Sequence, residues 1–528
     1  MGMLVTMGSR YMIAAGHPVT AEAAQHALNE GGNAVDGVLA GWLAACLTEP
    51  VLTSPGGGGF AMISPANGSA RLYDFFSQTP LCPNPDGHTY PLEADFGSTR
   101  QTFHLGTGSV ATPGCVAGLM KLHHDFGRLP LHECAAPARQ LSKDGVTITD
   151  HAETLLSVVN DLYQATPESA DLFASRTDPG KCLLEGERFT NPDYANFLDM
   201  LEAEGSRWFY EGDAGRIVSE MCRDQGGHLT RDDFLNYKVV IRDPLVIRRN
   251  GATICLNPPP SMGGTLIAIG LLSGVGAKHA SYPFSQYRDW LSWIDPLRLM
   301  SLLRTPGGME RLEGNDLAGI QSALDQSSTL SEAVKELFPH ALEHLHSTGT
   351  TQISIMDREG NEVSMTTSNG AGSAIIIPGT GIMLNNMLGE EDLQPDGMNT
   401  WKPNRRLASM MSPTLVQFAD GRRVATGSGG SNRIRSTILQ ILRHLIDHQN
   451  NLEKAVHAPR LHWEEGTLHA EHAAMEGLAS VGESLPWAVV EHGDRNLFFG
   501  GAHSVGFDPA GSFTGVGDRR RGGVALGG

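Results

Sequence analysis

The sequence predicts a large globular protein of the α/β class, built either as two lobes or as one layered domain. Of its 528 residues, 40% are hydrophobic and 18% are charged, a composition typical of folded rather than disordered chains. Stretches that alternate in hydrophobicity, as strands do, are interspersed with stretches of helical period. A chain of this length exceeds what one core usually holds, so both arrangements remain open at this point.

Charge and hydropathy narrow the range of partners and locations. Lys and Arg number 39 against 58 Asp and Glu, a net charge of −19. Nucleic acids and anionic membranes attract basic patches, so neither is expected as a partner. The longest apolar stretch, residues 37–47, is too short to span a bilayer, and residues 1–10 do not resemble a secretory signal. We therefore expect a soluble, cytoplasmic protein, although a start further upstream would leave export open.

The cysteines argue against a disulfide framework. Their number is odd, no Cys-x-x-Cys pair occurs, and all of them precede residue 350: Cys46, Cys82, Cys115, Cys134, Cys182, Cys222 and Cys255. A zinc ribbon is not expected for the same reason.

Near the start, two helices and a glycine run stand out. Thr20 is expected to cap a helix that ends at Gly31-Gly32, and Asn33 to cap a fully buried helix over residues 34–47. The run 56–59 consists of four glycines before a predicted strand. Because no Gly-Lys-Ser/Thr follows, a phosphate-binding loop is disfavoured, and we interpret the run as a tight backbone passage near a buried site.

The middle of the chain alternates between helical and extended patterns. In order, these are a helix start at 111–118, a charged helical region over 150–235, strands over 239–247 and 252–256, an apolar helix over 265–272, and a helical pattern over 316–346.

The last helical pattern contains a possible metal motif. His340, Glu343 and His344 fit His-x-x-Glu-His, a spacing found in zinc proteases. The chain contains 21 histidines, so such a short pattern arises easily by chance, and a solvated helix face is the preferred interpretation. A zinc protease remains the alternative function.

A predicted hairpin begins with a candidate nucleophile. Gly349 is followed by two threonines and an alternating strand through Met356, a turn at 357–360 and a returning strand over 361–367. In a self-cleaving precursor, Thr350 would attack the carbonyl of Gly349 and then carry both a hydroxyl and a free α-amine. Gly-Thr-Thr is also common in ordinary loops, so other parts of the chain must decide between a cleavage site and a loop that enters a strand.

A second hairpin, over 415–418 and 424–426, leads into the glycine-rich segment 427–431 and an amphipathic helix. Backbone N–H groups at such a helix start can bind a developing oxyanion. Ser431 is expected to cap this helix.

Taken together and in order, these stretches resemble the γ-glutamyltranspeptidase family of N-terminal nucleophile hydrolases nearly end to end. The segments that carry the resemblance are 31–36, 56–60, 112–118, 258–264, 349–360, 384–386, 412–414 and 427–434.

The resemblance implies the fold and the reaction. The fold would be a four-layer αββα sandwich of two stacked, mostly antiparallel sheets. The chain would cut itself into a large piece, residues 1–349, and a small piece, residues 350–528, which remain together as a heterodimer. The enzyme would transfer a γ-glutamyl or related acyl group from amides such as glutathione to water or an amine, without a metal or organic cofactor.

The resemblance also implies which residues perform the chemistry. Thr350 matches the nucleophile, and the cut falls between Gly349 and Thr350. Ser368 stands where the family has a second hydroxyl residue that supports the new α-amine. Gly429 and Gly430 fall at the glycines of the oxyanion hole.

Substrate binding is assigned in the same way. Ser409 matches the first of two serines that hold the substrate carboxylate. Glu390 falls near the acidic residue that binds the substrate amino group, or Glu391 if the loop is shifted by one. Asn369 and Asn386 are further candidates for substrate binding.

Three departures from the family pattern concern recognition. Gly370 stands where the family has an asparagine, Met410 replaces the second serine, and segment 74–80 lacks the carboxylate-binding arginine, with Phe76 at its expected position. Three other arginines are considered as substitutes: Arg405, Arg406 and Arg433. We therefore expect weak turnover of γ-glutamyl substrates, with hydrolysis exceeding transfer. A relative that neither cleaves itself nor catalyses is a further alternative.

Overall fold

A computed structural model describes most of the chain, namely residues 5–95, 100–273, 287–304, 349–390, 393, 400–479 and 486–528. The helical pattern predicted over 316–346, with its His-x-x-Glu-His motif, lies outside the described residues.

The helices alternate with strands along the first half of the chain and cluster again near its end. They are α1 Pro18–Asn29, α2 Ala34–Thr48, α3 Cys115–Phe126, α4 Leu131–Asp144, α5 Asp150–Val158, α6 Asn160–Tyr163, α7 Pro167–Phe173, α8 Asp193–Glu204, α9 Arg207–Tyr210, α10 Asp213–Gln225, α11 Arg231–Asn236, α12 Met262–Ser273, α13 Tyr287–Leu302, α14 Arg433–Ile446, α15 Leu452–His457 and α16 His472–Ala479.

The strands are β1 Val5–Gly8, β2 Tyr11–Ala15, β3 Gly58–Ser64, β4 Arg71–Phe75, β5 Tyr90–Asp95, β6 Arg100–Leu105, β7 Val146–Thr147, β8 Arg188–Phe189, β9 Val240–Arg242, β10 Leu245–Arg249, β11 Ala252–Leu256, β12 Gly349–Asp357, β13 Glu362–Gly370, β14 Ile376–Ile377, β15 Ile382–Met383, β16 Thr414–Phe418, β17 Arg423–Thr426, β18 Ser428–Gly429, β19 Leu461–Glu464, β20 Thr467–Glu471, β21 Ala488–His492, β22 Gly501–Ala502, β23 Ser504–Asp508, β24 Ser512–Val516 and β25 Val524–Gly527.

Two antiparallel sheets of seven strands form the centre of the protein. The first has the order β25-β2-β12-β13-β3-β4-β9 and the second β1-β24-β23-β17-β16-β11-β10. The sheets are stacked, because strands β2, β12 and β13 of the first contact β17, β23 and β24 of the second. With helices covering the outer faces, this is the αββα sandwich that the resemblance implied, and the prediction of fold class is confirmed.

The alternation of side chains along β12 explains how that strand is sandwiched. Ile353 and Ile355 belong to the core that the first sheet shares with α1 and α2. Ser354 faces the second sheet, where its hydroxyl donates to the carbonyl of His503 at 2.7 Å. The predicted strand and its facing pattern are therefore confirmed.

Helix α2 fixes the position of β12 from the outer side. All of its residues are buried, and Asn33 caps it as predicted, in a capping box with Asp36. Gly37 and Gly41 face Ile355 and Ile353, and a β-carbon at Gly37 would lie 3.0 Å from the Ile355 side chain. These glycines let the helix lie close against the strand.

The four-glycine run is a tight backbone passage, as predicted. A β-carbon at Gly57 would lie 2.2 Å from the carbonyl oxygen of Ser368, and one at Gly56 would lie 2.3 Å from that of Met383. Side chains of any size are excluded because the neighbouring atoms belong to backbone.

Two predicted caps are wrong. Helix α1 begins at Pro18, and the imidazole of His17 accepts the N–H of Val19 at 3.2 Å, whereas Thr20 lies inside the helix. Helix α14 begins at Arg433 after Asn432, and Ser431 has a positive φ of 49° that places it before the helical turn. The N-cap residues are therefore His17 and Asn432 rather than the predicted hydroxyl residues.

The prediction of a single strand over 239–247 is also wrong. The segment divides into β9, at the edge of the first sheet, and β10, at the edge of the second.

Within the described part of the chain, no helix is long and apolar enough to cross a membrane.

We predict that cutting the chain before Thr350 leaves the two pieces associated without any disulfide. Strand β12 pairs with β2 on one side, β13 pairs with β3 on the other, and β16 pairs with β11, so both sheets combine strands from both pieces. The seven cysteines are all free and all belong to the large piece. On a non-denaturing sizing column, the cut protein should elute as one species with and without reductant, and as two bands on a denaturing gel. Separation of the pieces on the column would contradict this prediction.

Candidate active site

The predicted cleavage site lies at an irregular point of the central hairpin. Gly349 pairs with Gly370 and Thr351 with Thr367, so the register shifts between them at Thr350. The Thr350 residue is 3% exposed. Ser368 and Asn369 of β13 therefore both oppose Thr350, an irregularity of the β-bulge type, which is common beside active sites.

Ser368 holds the carbonyl that precedes Thr350. Its hydroxyl donates to the carbonyl oxygen of Gly349 at 2.5 Å and accepts the N–H of Gly370 at 3.0 Å. A hydrogen bond to this oxygen draws electron density from the carbonyl carbon, which Thr350 would have to attack.

The two glycines before helix α14 lie close to Thr350, Gly429 within the short strand β18 that pairs with β22 and Gly430 directly after it. A β-carbon at Gly429 would lie 2.2 Å from the carbonyl oxygen of Thr350. Gly430 has a φ of 116°, and a β-carbon there would lie 2.7 Å from the Cα of Gly500. Only glycine fits at either position, and Gly429 thereby lies in close backbone contact with Thr350.

A cavity opens next to Thr350. It is lined by Phe76, Arg304, Thr350, Ser368, Met387, Glu390, Leu393, Ala408, Ser409, Met410, Met411, Ser431 and Ile434. Four predicted site residues, Thr350, Ser368, Glu390 and Ser409, are therefore brought together around one cavity.

The two asparagines are not among the residues that line it. The amide of Asn369 lies 3.4 Å from the carbonyl oxygen of Leu384, and the Oδ1 of Asn386 accepts the N–H of Ala371 at 2.9 Å. Both side chains are fully buried. They support the loop that carries Glu390, whose Oε1 lies 3.1 Å from the same Ala371 N–H. Glu391 lies outside the described residues.

The glycine at position 370 follows from this packing. Its φ is 66°, and a β-carbon would lie 2.2 Å from the Oδ1 of Asn386 and 2.7 Å from the Oε1 of Glu390. An asparagine, which the family pattern would place here, does not fit this loop.

Two of the arginines considered as substitutes have other structural partners. Arg406 pairs with buried Asp74 at 3.2 Å and lies over the ring of Tyr237. Arg433 donates to the carbonyl of Phe498 at 2.9 Å. Neither lines the cavity, nor does Arg405, which is exposed.

Arg304 is a cavity residue that the sequence did not indicate. It follows helix α13 and lies 3.3 Å from the Oε1 of Glu464 through its Nη1. No motif surrounds it, so only the tertiary structure places it beside Thr350.

A second residue without a sequence signal contacts Thr351, the residue after Thr350. Glu49 accepts the hydroxyl of Thr351 at 2.9 Å and lies 3.4 Å from that of Thr20. Burial raises the pKa of this carboxyl to about 7, although both hydroxyls and Arg521 lower it in part. The group is therefore largely protonated below neutral pH.

One cluster elsewhere has the composition of a metal site. Asp36, His123 and Cys134 have ligand atoms within 4.8 Å of one another. However, Asp36 already accepts the backbone N–H groups of Asn33 and Arg128, at 2.8 and 3.0 Å. Burial raises the pKa of the Cys134 thiol to about 12, and the Nε2 of His123 lies 2.9 Å from the carbonyl oxygen of Leu129. We interpret this cluster as a helix cap.

Comparison with known proteins identifies the family. The model of the family described as Gamma-glutamyltranspeptidase matches residues 20–528. The chain belongs to the γ-glutamyltranspeptidase family. It is thus an enzyme of the N-terminal nucleophile hydrolase type, an amide hydrolase or acyl transferase, and this prediction is confirmed.

Individual relatives carry two kinds of name. The chain is 30% identical to the acylase ACY 1 proenzyme of Pseudomonas sp. (strain V22), over 96% of this chain and 92% of that protein. It is 29% identical to the glutathione hydrolase proenzyme of Escherichia coli (strain K12), over 84% of this chain and 80% of that protein. The crystal structure of cephalosporin acylase from Bacillus halodurans superposes with a TM-score of 0.82 at 23% identity, covering 99% of this chain and 97% of that one, which supports the fold.

We predict that Glu49 makes stability depend on pH. Its folded pKa of about 7 lies above the value of about 4.3 expected when unfolded, so folding takes up a proton between these values. The contribution of Glu49 is complete below about pH 4.3 and is lost as pH rises through about 7. In an uncut Thr350→Ala background, Glu49→Gln should therefore gain about 1–3 kcal/mol of unfolding free energy relative to its parent between pH 4 and 8.

Calorimetry across this pH range measures the difference between the two proteins. Glu22→Gln removes an exposed carboxylate from neighbouring helix α1 and controls for the loss of one charge. Parallel curves of unfolding temperature against pH for Glu49→Gln and its parent would contradict the prediction.

Proposed function

We propose that this chain is a self-processing hydrolase of γ-glutamyl or related acyl amides, with Thr350 as its nucleophile. The observation that carries the proposal is the position of Thr350 between the Ser368-bound carbonyl of Gly349 and the glycine turn at 429–430. The names of the relatives, glutathione hydrolase and acylase, support an amide substrate with a small acyl group.

Processing would begin with attack of the Thr350 hydroxyl on the carbonyl carbon of Gly349. The C–N bond between the two residues breaks as the acyl group moves to the hydroxyl oxygen, and the former amide nitrogen becomes the α-amine of Thr350. Water then hydrolyses the ester. Ser368 polarises the carbonyl throughout, because its hydroxyl already donates to that oxygen at 2.5 Å.

Catalysis would reuse the same hydroxyl on a substrate amide. The free α-amine of Thr350 serves as general base, since its reference pKa of about 7.7–8.0 suits a base near neutral pH. Backbone N–H groups at Gly429 and Gly430 stabilise the oxyanion. Water or an amine acceptor then releases the acyl group, with hydrolysis favoured. The acyl group itself would occupy the cavity that Glu390 and Ser409 line.

The proposed enzyme is a heterodimer of residues 1–349 and 350–528. The word proenzyme in the names of the relatives supports such processing. The zinc-protease alternative gains no support from the comparisons. A cytoplasmic location is part of the proposal and rests on the sequence alone.

We predict that Thr350→Ala yields one uncut, inactive chain, because the same hydroxyl drives processing and catalysis. Thr350→Ser should still be cut, and Ser368→Ala should be cut roughly ten- to a hundredfold more slowly, through loss of a hydrogen bond to a developing charge. A time course on denaturing gels measures the rate of cutting. N-terminal sequencing of the small piece should give Thr-Thr-Gln-Ile.

Thr351→Ala is the matched control, since it removes the adjacent threonine hydroxyl. That variant should still be cut at the same bond. Normal cutting of Thr350→Ala, or a small piece that begins at another residue, would show that Thr350 is not the nucleophile.

We further predict weak binding of γ-glutamyl-p-nitroanilide. An arginine clamp would supply charged hydrogen bonds of about 1.5–3 kcal/mol each, and Phe76 and Met410 cannot. The Michaelis constant should lie in the millimolar range, with little stimulation by a dipeptide acceptor. Steady-state kinetics with and without acceptor provide the measurement, and a micromolar constant with strong stimulation would refute the prediction.

A further inference from the structure

Arg304 places a cation in the cavity proposed for the acyl group. It comes from a different part of the chain than the arginine of the family pattern. Its backbone N–H bonds the carbonyl of Ser301 at 3.1 Å, just beyond helix α13, and its side chain is 15% exposed. Among the described residues that line the cavity, Arg304 and Glu390 carry the charges. The guanidinium therefore lies on the wall of the same cavity as Thr350.

A buried carboxylate holds this guanidinium in place. The Oε1 of Glu464 lies 3.3 Å from Nη1 of Arg304 and also accepts the side-chain amide of Asn432 at 2.8 Å. The other oxygen of Glu464 lies 3.1 Å from Nε2 of His462. Because Glu464 is only 1% exposed and has several partners, it fixes the position of Arg304.

Most of the remaining wall is apolar, including Phe76, Met387, Met410 and Ile434. A carboxylate that enters such a cavity loses hydration, at a cost of several kcal/mol unless it is paired. An arginine on the wall offsets that cost with charged hydrogen bonds. An acyl group that ends in a methyl group forms no such bonds with the arginine.

We propose that Arg304 determines specificity by pairing with the carboxylate at the far end of the acyl group. The inference rests on the proposed function, since it concerns the acyl group carried by Thr350. Arg304 shares its charge with Glu464, so the contact is weaker than that of a dedicated two-bond clamp. It therefore gives a preference for carboxylate-bearing acyl groups without tight binding.

Two p-nitroanilides test the contact directly. Glutaryl and pentanoyl anilides have the same acyl chain and differ in a terminal carboxylate or methyl group. The measured quantity is the ratio of their kcat/KM values in the processed enzyme. Arg304→Met keeps the length of the side chain without its charge, and Arg304→Lys keeps the charge without the planar fork.

We expect Arg304→Met to lower the glutaryl-to-pentanoyl ratio about ten- to a hundredfold, the effect of losing one or two charged hydrogen bonds. The loss should lie mainly in KM for the glutaryl substrate, and Arg304→Lys should restore part of the ratio. Arg298→Met is the matched control, because Arg298 belongs to helix α13, which ends just before Arg304, packs over Trp463 and Trp487, and does not line the cavity.

An unchanged ratio in Arg304→Met, or an equal loss on both substrates in correctly cut protein, would overturn the inference. Either result, obtained with Thr350-dependent hydrolysis intact, leaves the proposed function standing. Conversely, hydrolysis that persists in Thr350→Ala would remove the proposed function itself, and the inference with it.

Discussion

The close approach of the glycine turn at 429–430 to the carbonyl of Thr350 is the constraint on which the site depends. Thr350 lies in β12 of the first sheet, whereas Gly429 lies in β18, which pairs with β22 and directly follows β17 of the second sheet. A β-carbon at Gly429 would lie 2.2 Å from the carbonyl oxygen of Thr350. Such contact between two backbones requires both elements to be held in one alignment, because interiors are close-packed and tolerate little displacement. The sandwich thus holds the strand of the proposed nucleophile against a turn from a distant part of the chain.

A buried polar layer fixes that register between the sheets. The side-chain amide of Gln352 donates to the hydroxyls of Ser354 and Ser364, both at 3.0 Å. Ser364 in turn donates to the carbonyl of Thr426 in the second sheet at 2.8 Å. Apolar side chains could slide past one another, but directional bonds between satisfied buried groups favour one alignment. The order of polar and apolar residues along β12 thus serves both packing and the placement of Thr350.

The sequence was sufficient for what is local or carried by a motif, and insufficient for contacts made by tertiary structure. Alternation predicted both hairpins, and the family resemblance that the motifs carry implied the sandwich and pointed to Thr350. Ser368 was identified, but its bond to the Gly349 carbonyl depends on a register shift that the pattern does not encode. Glu49 and Arg304 were missed because each reaches the site from a distant element with no motif around it. The caps at Thr20 and Ser431 failed because cap preferences are weak compared with tertiary packing.

In the segment where the family pattern has an arginine, the side chains already make structural contacts. A substrate carboxylate would therefore have to be recognised by another wall of the cavity. Buried Asp74 pairs with Arg242 at 2.8 Å and with Arg406 at 3.2 Å, and Phe76 stacks on Phe60 with ring centroids 5.5 Å apart. An arginine in place of Phe76 would leave a hole in the stack and add a third cation near Asp74. On the proposal made for Arg304, a carboxylate in this cavity would instead be paired from the end of helix α13, where Glu464 already holds Arg304 in position.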